Sequence, residues 1–179
     1  MSDVRQNIRR QVCTDPGIHF NELVRELDLA AGQTQYHVRR LLRSEEIVSE
    51  ELYGRTHYYP DGYDDWDRCA LALFRRETCR DVLLYLIEYD GARPNAVADE
   101  LDIARSTLEY HLSHLVEEEL VEKRYGDRNR VTLHLANPER TGELLSRVTP
   151  SVSDRLIDRF TRLVDTLLED ADGTPRPTN

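Results

Sequence analysis

Two stretches of the chain decide its fold: residues 17–30 read GIHFNELVRELDLA, and residues 91–104 read GARPNAVADELDIA. At a constant offset of 74, the same glycine, asparagine, glutamate, leucine, aspartate and alanine recur. The register continues into YHVRRL at residues 36–41 and YHLSHL at residues 110–115. A repeat of this length predicts two similar domains in one chain of 179 residues.

The order of predicted elements is the same in both copies. The copies next reach EEIV at residues 45–48 and EELV at residues 118–121, where the offset falls to 73, so copy one has one extra residue before its hairpin. Apolar residues at helical spacing predict the helices, and β-like runs around a glycine predict the hairpins. The first copy is predicted to have helix 1 through Val4, Ile8 and Val12, helix 2 at 22–27 capped by Asn21, helix 3 at 31–45, and strands at 47–52 and 55–59. The second is predicted to have helix 1 at 75–89, helix 2 capped by Asn95, helix 3 at 105–118, and strands at 121–125 and 131–135.

This order is that of a winged helix-turn-helix domain. Residues 103–112, IARSTLEYHL, with the following Leu115 and the run 119–121, resemble the ArsR/MarR-type winged-helix regulators of archaea. Copy one resembles them through residues 36–38 and 47–48, so the resemblance covers about residues 1–136. It implies a mainly α fold with small β-hairpin wings and a DNA-binding function. The chain departs from the family pattern by having Ala30 and Ala104 where a serine cap is usual, and Glu46 and Glu119 where a glycine usually precedes the wing.

The regions outside the two copies complete the predicted organisation. Winged-helix domains are expected at 1–60 and 75–136, joined by an acidic linker at 61–74 that docks its aromatic residues. Asn137 and Pro138 can begin a further helix. An apolar stripe between Val152 and Leu168 marks a final helix, so residues 138–170 are expected to form a homodimer interface. A disordered tail is expected at 171–179.

The charge of the chain argues weakly against a DNA-binding function. The net charge is −10, but residues 1–60 contribute only −1, whereas residues 76–137 contribute −5. Only one of the 24 basic residues is lysine, Lys123. An acidic, arginine-rich composition is typical of proteins from salt-accumulating archaea, where it serves solubility and says little about the partner.

Helix 3 of a helix-turn-helix domain enters the major groove, so its outer face is expected to contact bases. In copy one, residues 31–45 have a net charge of +2, and in copy two residues 104–119 have a net charge of −3. Copy one is therefore predicted to be the main reader of double-stranded DNA, because arginine and glutamine suit guanine and adenine edges. The candidate helix residues are Gln33, Gln35, Tyr36, Arg39, Arg40 and Arg43 in copy one and Arg105, Ser106 and Tyr110 in copy two. The alternative is that these arginines only solvate a helix face.

The predicted wings add further basic side chains. The hairpin of copy two is rich in them, which suits contact with phosphates or the minor groove. Copy one offers a weaker version in Arg55 and His57. The candidate residues of the second wing are Lys123, Arg124, Arg128 and Arg130. An ordinary solvated loop is the alternative.

Other chemistry has little support in the sequence. His37 and His111 occupy the same repeat position, which predicts packing at the base of helix 3. Cys13, Cys69 and Cys79 have no paired spacing, so buried thiols are expected rather than a disulfide framework. No zinc spacing, phosphate-binding glycine loop or nucleophile elbow is present, so neither a cofactor, a metal nor an enzymatic activity is expected.

The sequence also has no secretory signal and no apolar run long enough to span a membrane, which predicts a cytoplasmic location. Two rival hypotheses remain beside the DNA-binding regulator. One is a protein-interaction adaptor, favoured by the acidic helix 3 of copy two. The other is a regulator that senses a ligand or a redox change.

Overall fold

The computed structural model describes residues 3–127 and 130–148. Within these ranges the chain forms eight helices and five strands. In chain order they are α1 (Asp3–Thr14), β1 (Ile18–His19), α2 (Phe20–Glu26), α3 (Ala31–Arg43), β2 (Val48–Leu52), β3 (Arg55–Tyr59), α4 (Asp65–Phe74), α5 (Glu77–Glu88), α6 (Pro94–Glu100), α7 (Arg105–Glu117), β4 (Val121–Tyr125), β5 (Val131–Leu135) and α8 (Pro138–Arg147). They divide into unit 1, Met1–Glu77, and unit 2, Thr78–Asn179.

Unit 1 is a winged helix built on a three-stranded antiparallel sheet. The sheet order is β1-β3-β2, with Ile18 opposite Tyr58 and Val48 opposite Tyr59. Its core contains fully buried Ile8 from α1 and Leu41 from α3. The apolar side chains at helical spacing are therefore turned inward, which fixes which face of α3 is left for solvent.

Unit 2 repeats this plan with a smaller sheet. Strands β4 and β5 pair with Val121 opposite Leu135. A single bridge from Ala92 to Leu133 takes the place of β1, with the Leu133 amide donating to the Ala92 carbonyl at 2.8 Å. Leu108, Leu112 and Leu115 of α7 are fully buried, as their spacing predicts. The mainly α fold with two hairpin wings is thus confirmed.

The tight turns of the repeat depend on left-handed residues that are not glycine. Asp28 (φ 49°) and Asp102 (φ 51°) follow α2 and α6, and aspartate tolerates this region better than most residues. Glu45 (φ 55°) and Glu119 (φ 54°) lie two residues after the third helix of each copy, and their positions differ by the offset of 74. The extra residue of copy one therefore lies between Glu45 and Val48, after this turn and before the wing.

The structure corrects two predicted helix caps. Residue His19, not Asn21, caps α2, because its Nδ1 accepts the Glu22 amide at 3.3 Å. Arg93 holds the cap position of α6 without a side-chain hydrogen bond, and Pro94 follows at the first helical position instead of an Asn95 cap. Asn137 does cap α8, and its side chain accepts the Arg140 amide at 3.2 Å.

The segment 61–74, expected to be a linker, contains helix α4 instead. Asp64 caps this helix by accepting the Asp67 amide at 2.8 Å. Its last five residues, 70–74, are buried. The acidic residues that suggested a linker occupy the first turn, where carboxylates favour a helix start. The predicted helix at 151–170 and the tail at 171–179 lie outside the described residues.

Candidate nucleic-acid interface

The outer face of α3 presents every candidate residue of that helix to solvent. Thr34, Val38 and Leu41 are buried, and the Thr34 hydroxyl donates to the Ala30 carbonyl at 3.1 Å. This inward row fixes the rotation of the helix. The exposed side chains are Gln33, Gln35, Tyr36, Arg39, Arg40 and Arg43.

The arginines of this face have no carboxylate partner. Arg40 donates to the Tyr36 hydroxyl at 2.9 Å and lies 5.7 Å from the centre of that ring. The side chains of Arg39 and Arg43 form no hydrogen bond or ion pair within residues 3–127 and 130–148. Since α3 itself contains no acidic residue, its outer face is positively charged.

The first wing contributes Arg55 but not His57. The Arg55 side chain is exposed at the start of β3, and its Nη1 lies 3.3 Å from His19 Nε2. The predicted basic role of His57 is wrong, because this residue is only 4% exposed. Its Nδ1–H donates to the Gly17 carbonyl at 2.7 Å, and burial lowers the pKa of the imidazole.

The outer face of α7 in unit 2 is arranged differently. Arg105, Ser106 and Tyr110 are exposed, as predicted. However, Arg105 Nη2 donates to Glu109 at 2.6 Å, and Lys123 Nζ of the wing donates to the other oxygen of Glu109 at 2.8 Å. The Lys123 hydrogen bond, followed by that of Arg105, lowers the pKa of Glu109. This carboxylate therefore pairs with one cation of the helix and one of the wing.

The rest of the second wing is only partly available. Arg124 donates through Nε to Glu122 at 2.6 Å, so its charge is also compensated. Arg130 is exposed where the hairpin turns, and its carbonyl accepts the Gly126 amide at 2.9 Å. Arg128 lies outside the described residues. Of the four predicted cations in this wing, Lys123 and Arg124 thus face carboxylates of their own domain.

A cleft of about 580 Å³ opens between α2, α3 and the first wing. Its polar lining includes Gln35, Arg39 and Arg55, which brings three of the predicted residues to one place. His19 also lines it, and sequence reasoning missed this residue. The only available signal was that His19 replaces Arg93 at the same repeat position, just before the second helix.

The repeated histidines and the cysteines do not form a shared site in the described residues. His111 Nδ1 lies 3.4 Å from the buried thiol of Cys79, whereas copy one has Arg5 at the position of Cys79. Cys13 is exposed and Cys69 is partly buried, and none of the three cysteines forms a disulfide within residues 3–127 and 130–148. Among residues 3–127 and 130–148, no group of three histidine, cysteine or acidic side chains is placed to hold a metal ion.

Comparisons with known proteins agree with this architecture. Residues 2–71 match a family described as an N-terminal HTH domain, and residues 76–124 match a family described as a helix-turn-helix domain. The chain is a tandem helix-turn-helix protein. The first match extends to residue 71, and so includes much of α4.

This tandem helix-turn-helix protein also resembles a longer archaeal protein. It is 29% identical over 115 residues to a protein named as an uncharacterized HTH-type transcriptional regulator of Methanocaldococcus jannaschii. The matched region is 64% of this chain and only 29% of that relative. The predicted resemblance to archaeal helix-turn-helix regulators is therefore confirmed, while the narrower ArsR/MarR assignment stays a prediction.

A solved structure also aligns with the tandem helix-turn-helix protein. It is the mRNA-binding domain of elongation factor SelB from E. coli in complex with SECIS RNA, and it covers 76% of this chain and 100% of its own. The sequence identity is 16% and the TM-score is 0.28, a level at which the alignment supports no conclusion. Within the described part of the chain, no helix is both long and apolar enough to cross a bilayer.

Proposed function

We propose that the chain is a transcriptional regulator that binds double-stranded DNA in a sequence-specific manner, without enzymatic activity. In this proposal α3 of unit 1 enters the major groove, and the wings contact phosphates or the minor groove. The observation that carries it is the contrast between the two repeats. The α3 face exposes three arginines without a carboxylate partner, whereas in unit 2 Glu109 pairs with Arg105 and Lys123, and Glu122 pairs with Arg124.

Phosphate and guanine contacts both need available guanidinium groups. An arginine already paired with a carboxylate must break that pair before it can donate to DNA, and the freed carboxylate then repels the phosphates. Unit 1 has no such cost at Arg39 or Arg43. The −10 net charge therefore does not oppose the proposal, because the charge that matters is local to the reading face.

The test substitutes a residue of unit 1 and uses the equivalent position of unit 2 as the control. Genomic fragments retained by the full chain would first define a binding site, and affinity for that duplex would then be measured at several KCl concentrations. Arg39→Glu is expected to weaken binding by about 10-fold to 100-fold or more, since one good base contact accounts for roughly 1–3 kcal/mol. Ser113→Glu introduces a carboxylate at the equivalent position of α7, and we expect it to leave affinity nearly unaltered. Equal losses in the two variants, or no loss from Arg39→Glu, would refute α3 as the reader.

A second candidate function, that of a protein-interaction adaptor, applies to unit 2. It is favoured by the self-compensated charge of α7 together with Tyr110, whose side chain is 57% exposed. The matched pair Tyr36→Ala and Tyr110→Ala separates the two roles. A loss of DNA affinity in Tyr36→Ala alone would leave the α7 face for a protein partner, whereas a loss in both variants would assign DNA to both units.

The proposal includes a homodimer formed through residues 138–170, which would place two reading helices about one turn of duplex, or a multiple, apart. Within this segment the structure describes α8 and Val148, where Leu144 and Leu145 are buried. Sedimentation of the full chain and of a chain ending at residue 148 would test it. A monomeric full chain would rule the homodimer out without affecting the assignment of α3.

A further inference from the structure

The position of His19 before α2 makes one of its ring nitrogens a hydrogen-bond acceptor. Its Nδ1 accepts the Glu22 amide at 3.3 Å, so Nδ1 carries the lone pair. A neutral imidazole has one donor nitrogen and one acceptor nitrogen, so the proton is on Nε2. Burial is the main cause that lowers the pKa of His19, and this favours the neutral ring. The Nε2–H group of His19 is therefore a donor on the wall of the cleft.

A second donor faces this group. Arg55 Nη1 lies 3.3 Å from His19 Nε2, and a guanidinium cannot accept a hydrogen bond. Glu22 Oε2 is 3.7 Å from Nε2, too far for a hydrogen bond, and it already accepts Arg75 Nη1 at 2.8 Å. Two donors thus meet at one point of the cleft, and among the described residues neither has a hydrogen bond to an acceptor.

The rest of the cleft has the composition of an anion site. None of its eleven lining residues is aspartate or glutamate, although the chain contains 34 acidic residues. Arg39 adds a second guanidinium, and the apolar part of the lining includes Phe20, Val38 and Tyr58. A volume of about 580 Å³ is within the range of small-ligand sites.

In unit 2, a side chain of the protein itself occupies the space between the third helix and the wing. Glu109 has the repeat position of Gln35, and its carboxylate joins Arg105 of α7 to Lys123 of the wing. In unit 1 the helix-to-wing gap has a neutral amide at this position and two arginines in its lining. The gap of unit 1 therefore lacks the carboxylate that bridges helix and wing in unit 2.

We propose that the cleft of unit 1 is an oxyanion-binding site for a phosphate group, held by His19 Nε2–H and Arg55, with Arg39 at the same cleft. The apolar lining accommodates a flat organic group attached to the phosphate. Two sources carry this group, a free phosphate ester and the DNA backbone. Only the second source depends on the proposed DNA-binding function.

The experiment titrates the full chain, without DNA, with phenyl phosphate, inorganic phosphate and uncharged phenol at constant KCl. Binding is followed by amide NMR shifts in unit 1 and by calorimetry. We expect saturable binding of phenyl phosphate, weaker binding of inorganic phosphate, and none of phenol. Arg55→Ala should weaken phenyl phosphate by about 10-fold to 100-fold, as expected for a charged hydrogen-bond donor.

A second variant tests the comparison between the repeats. Gln35→Glu places on α3 the carboxylate that unit 2 already has, and it should abolish phosphate binding by occupying the donors itself. Arg10→Ala removes an exposed arginine of α1 outside the cleft and should not alter binding. Thermal melts of each variant check that unit 1 remains folded.

Adding the selected duplex then separates the two sources. Displacement of phenyl phosphate by DNA identifies a backbone phosphate as the occupant, while simultaneous binding identifies a free phosphate ester. The absence of saturable phenyl phosphate binding, or equal affinity in wild type, Arg55→Ala and Gln35→Glu, would overturn the proposal. Because this titration contains no DNA, its failure is distinct from failure of α3 to read a duplex.

Discussion

His57 makes the stability of unit 1 depend on pH. Burial lowers the pKa of this imidazole in the folded state, so folding favours the neutral ring. Its stabilising contribution is complete above the unfolded pKa, near 6.5, and is lost as the pH falls from there through the folded pKa. Urea unfolding of the wild type should therefore show stability falling below about pH 6.5, by at most about 1.4 kcal/mol per pH unit for this group.

The matched variant for this prediction is His57→Asn. The asparagine amide can donate to the Gly17 carbonyl, as Nδ1–H of His57 does at 2.7 Å, but it does not titrate. Its unfolding free energy should vary less with pH over the same window. The same pH dependence in both proteins would show that His57 is not the titrating group, and the remaining slope would point to His19, whose pKa is also lowered by burial.

Arg75 is predicted to be a major contributor to the stability of unit 1. Its guanidinium pairs with Asp15 and, at 2.8 Å, with Glu22, and the three side chains are between 8% and 13% exposed. Burial raises the pKa of Asp15 despite the opposing effect of Arg75. Arg75→Leu would leave the buried Asp15 carboxylate without this cation and Glu22 with only its longer contacts to Arg25 and His19. Breaking such a buried pair costs about 3–5 kcal/mol of unfolding free energy.

Arg25 provides the control, because it contacts the same Glu22 at 3.6 Å from a side chain that is 66% exposed. Arg25→Leu is expected to change the unfolding free energy by less than about 1 kcal/mol. Comparable effects of the two substitutions in denaturant titrations would contradict a central role for the buried pair.

At the scale of elements, the packing of α4 on unit 1 depends on Gly17. This residue has a φ of +82°, and a Cβ there would be 3.3 Å from Leu71 Cβ of α4 and 3.3 Å from the Tyr59 ring. Gly54 has a similar φ of +77°, with no atom within 4 Å of the same position. Both glycines allow a left-handed backbone, but only Gly17 also allows a close approach between elements.

Gly54→Ala should therefore lower the unfolding free energy by about 1 kcal/mol, through backbone strain alone. Gly17→Ala should lower it by about 2 kcal/mol or more. Chemical denaturation of the two variants measures this difference. Equal losses would mean that α4 shifts without cost and that its contact with Gly17 contributes little.

For the molecule as a whole, the boundary between the units is predicted to lie after α4. The unit division at Glu77 and the family match through residue 71 both favour this placement over the boundary at 60. A fragment of residues 1–77 should unfold cooperatively, since it retains Arg75 and the contact of Leu71 with Gly17. A fragment ending at residue 60 lacks both and should be markedly less stable. If calorimetry gave the same unfolding temperature for the two fragments, α4 would be a linker after all.

The sequence alone determined the repeat, the order of elements that the two copies share and most strand boundaries, because these depend on local patterns. Apolar residues at helical spacing identified the buried Val38, Leu41, Leu108 and Leu112, and hence which face of each third helix is exposed. The hairpin Val121–Tyr125 and Val131–Leu135 has the predicted limits. Local composition is misleading at 61–74, where the acidic residues that predict a linker instead begin helix α4.

Only the tertiary structure decided which charges are available. Arg39 and Arg105 have the same chemistry in the sequence, but Glu109 and Lys123 close an ion-pair network around Arg105, and within the described residues none forms around Arg39. The same is true of His19, whose two nitrogens meet Glu22 and Arg55 from different elements. The physical reason is that an ion pair or hydrogen bond depends on distances of about 3 Å between side chains far apart in the chain, which no local pattern specifies.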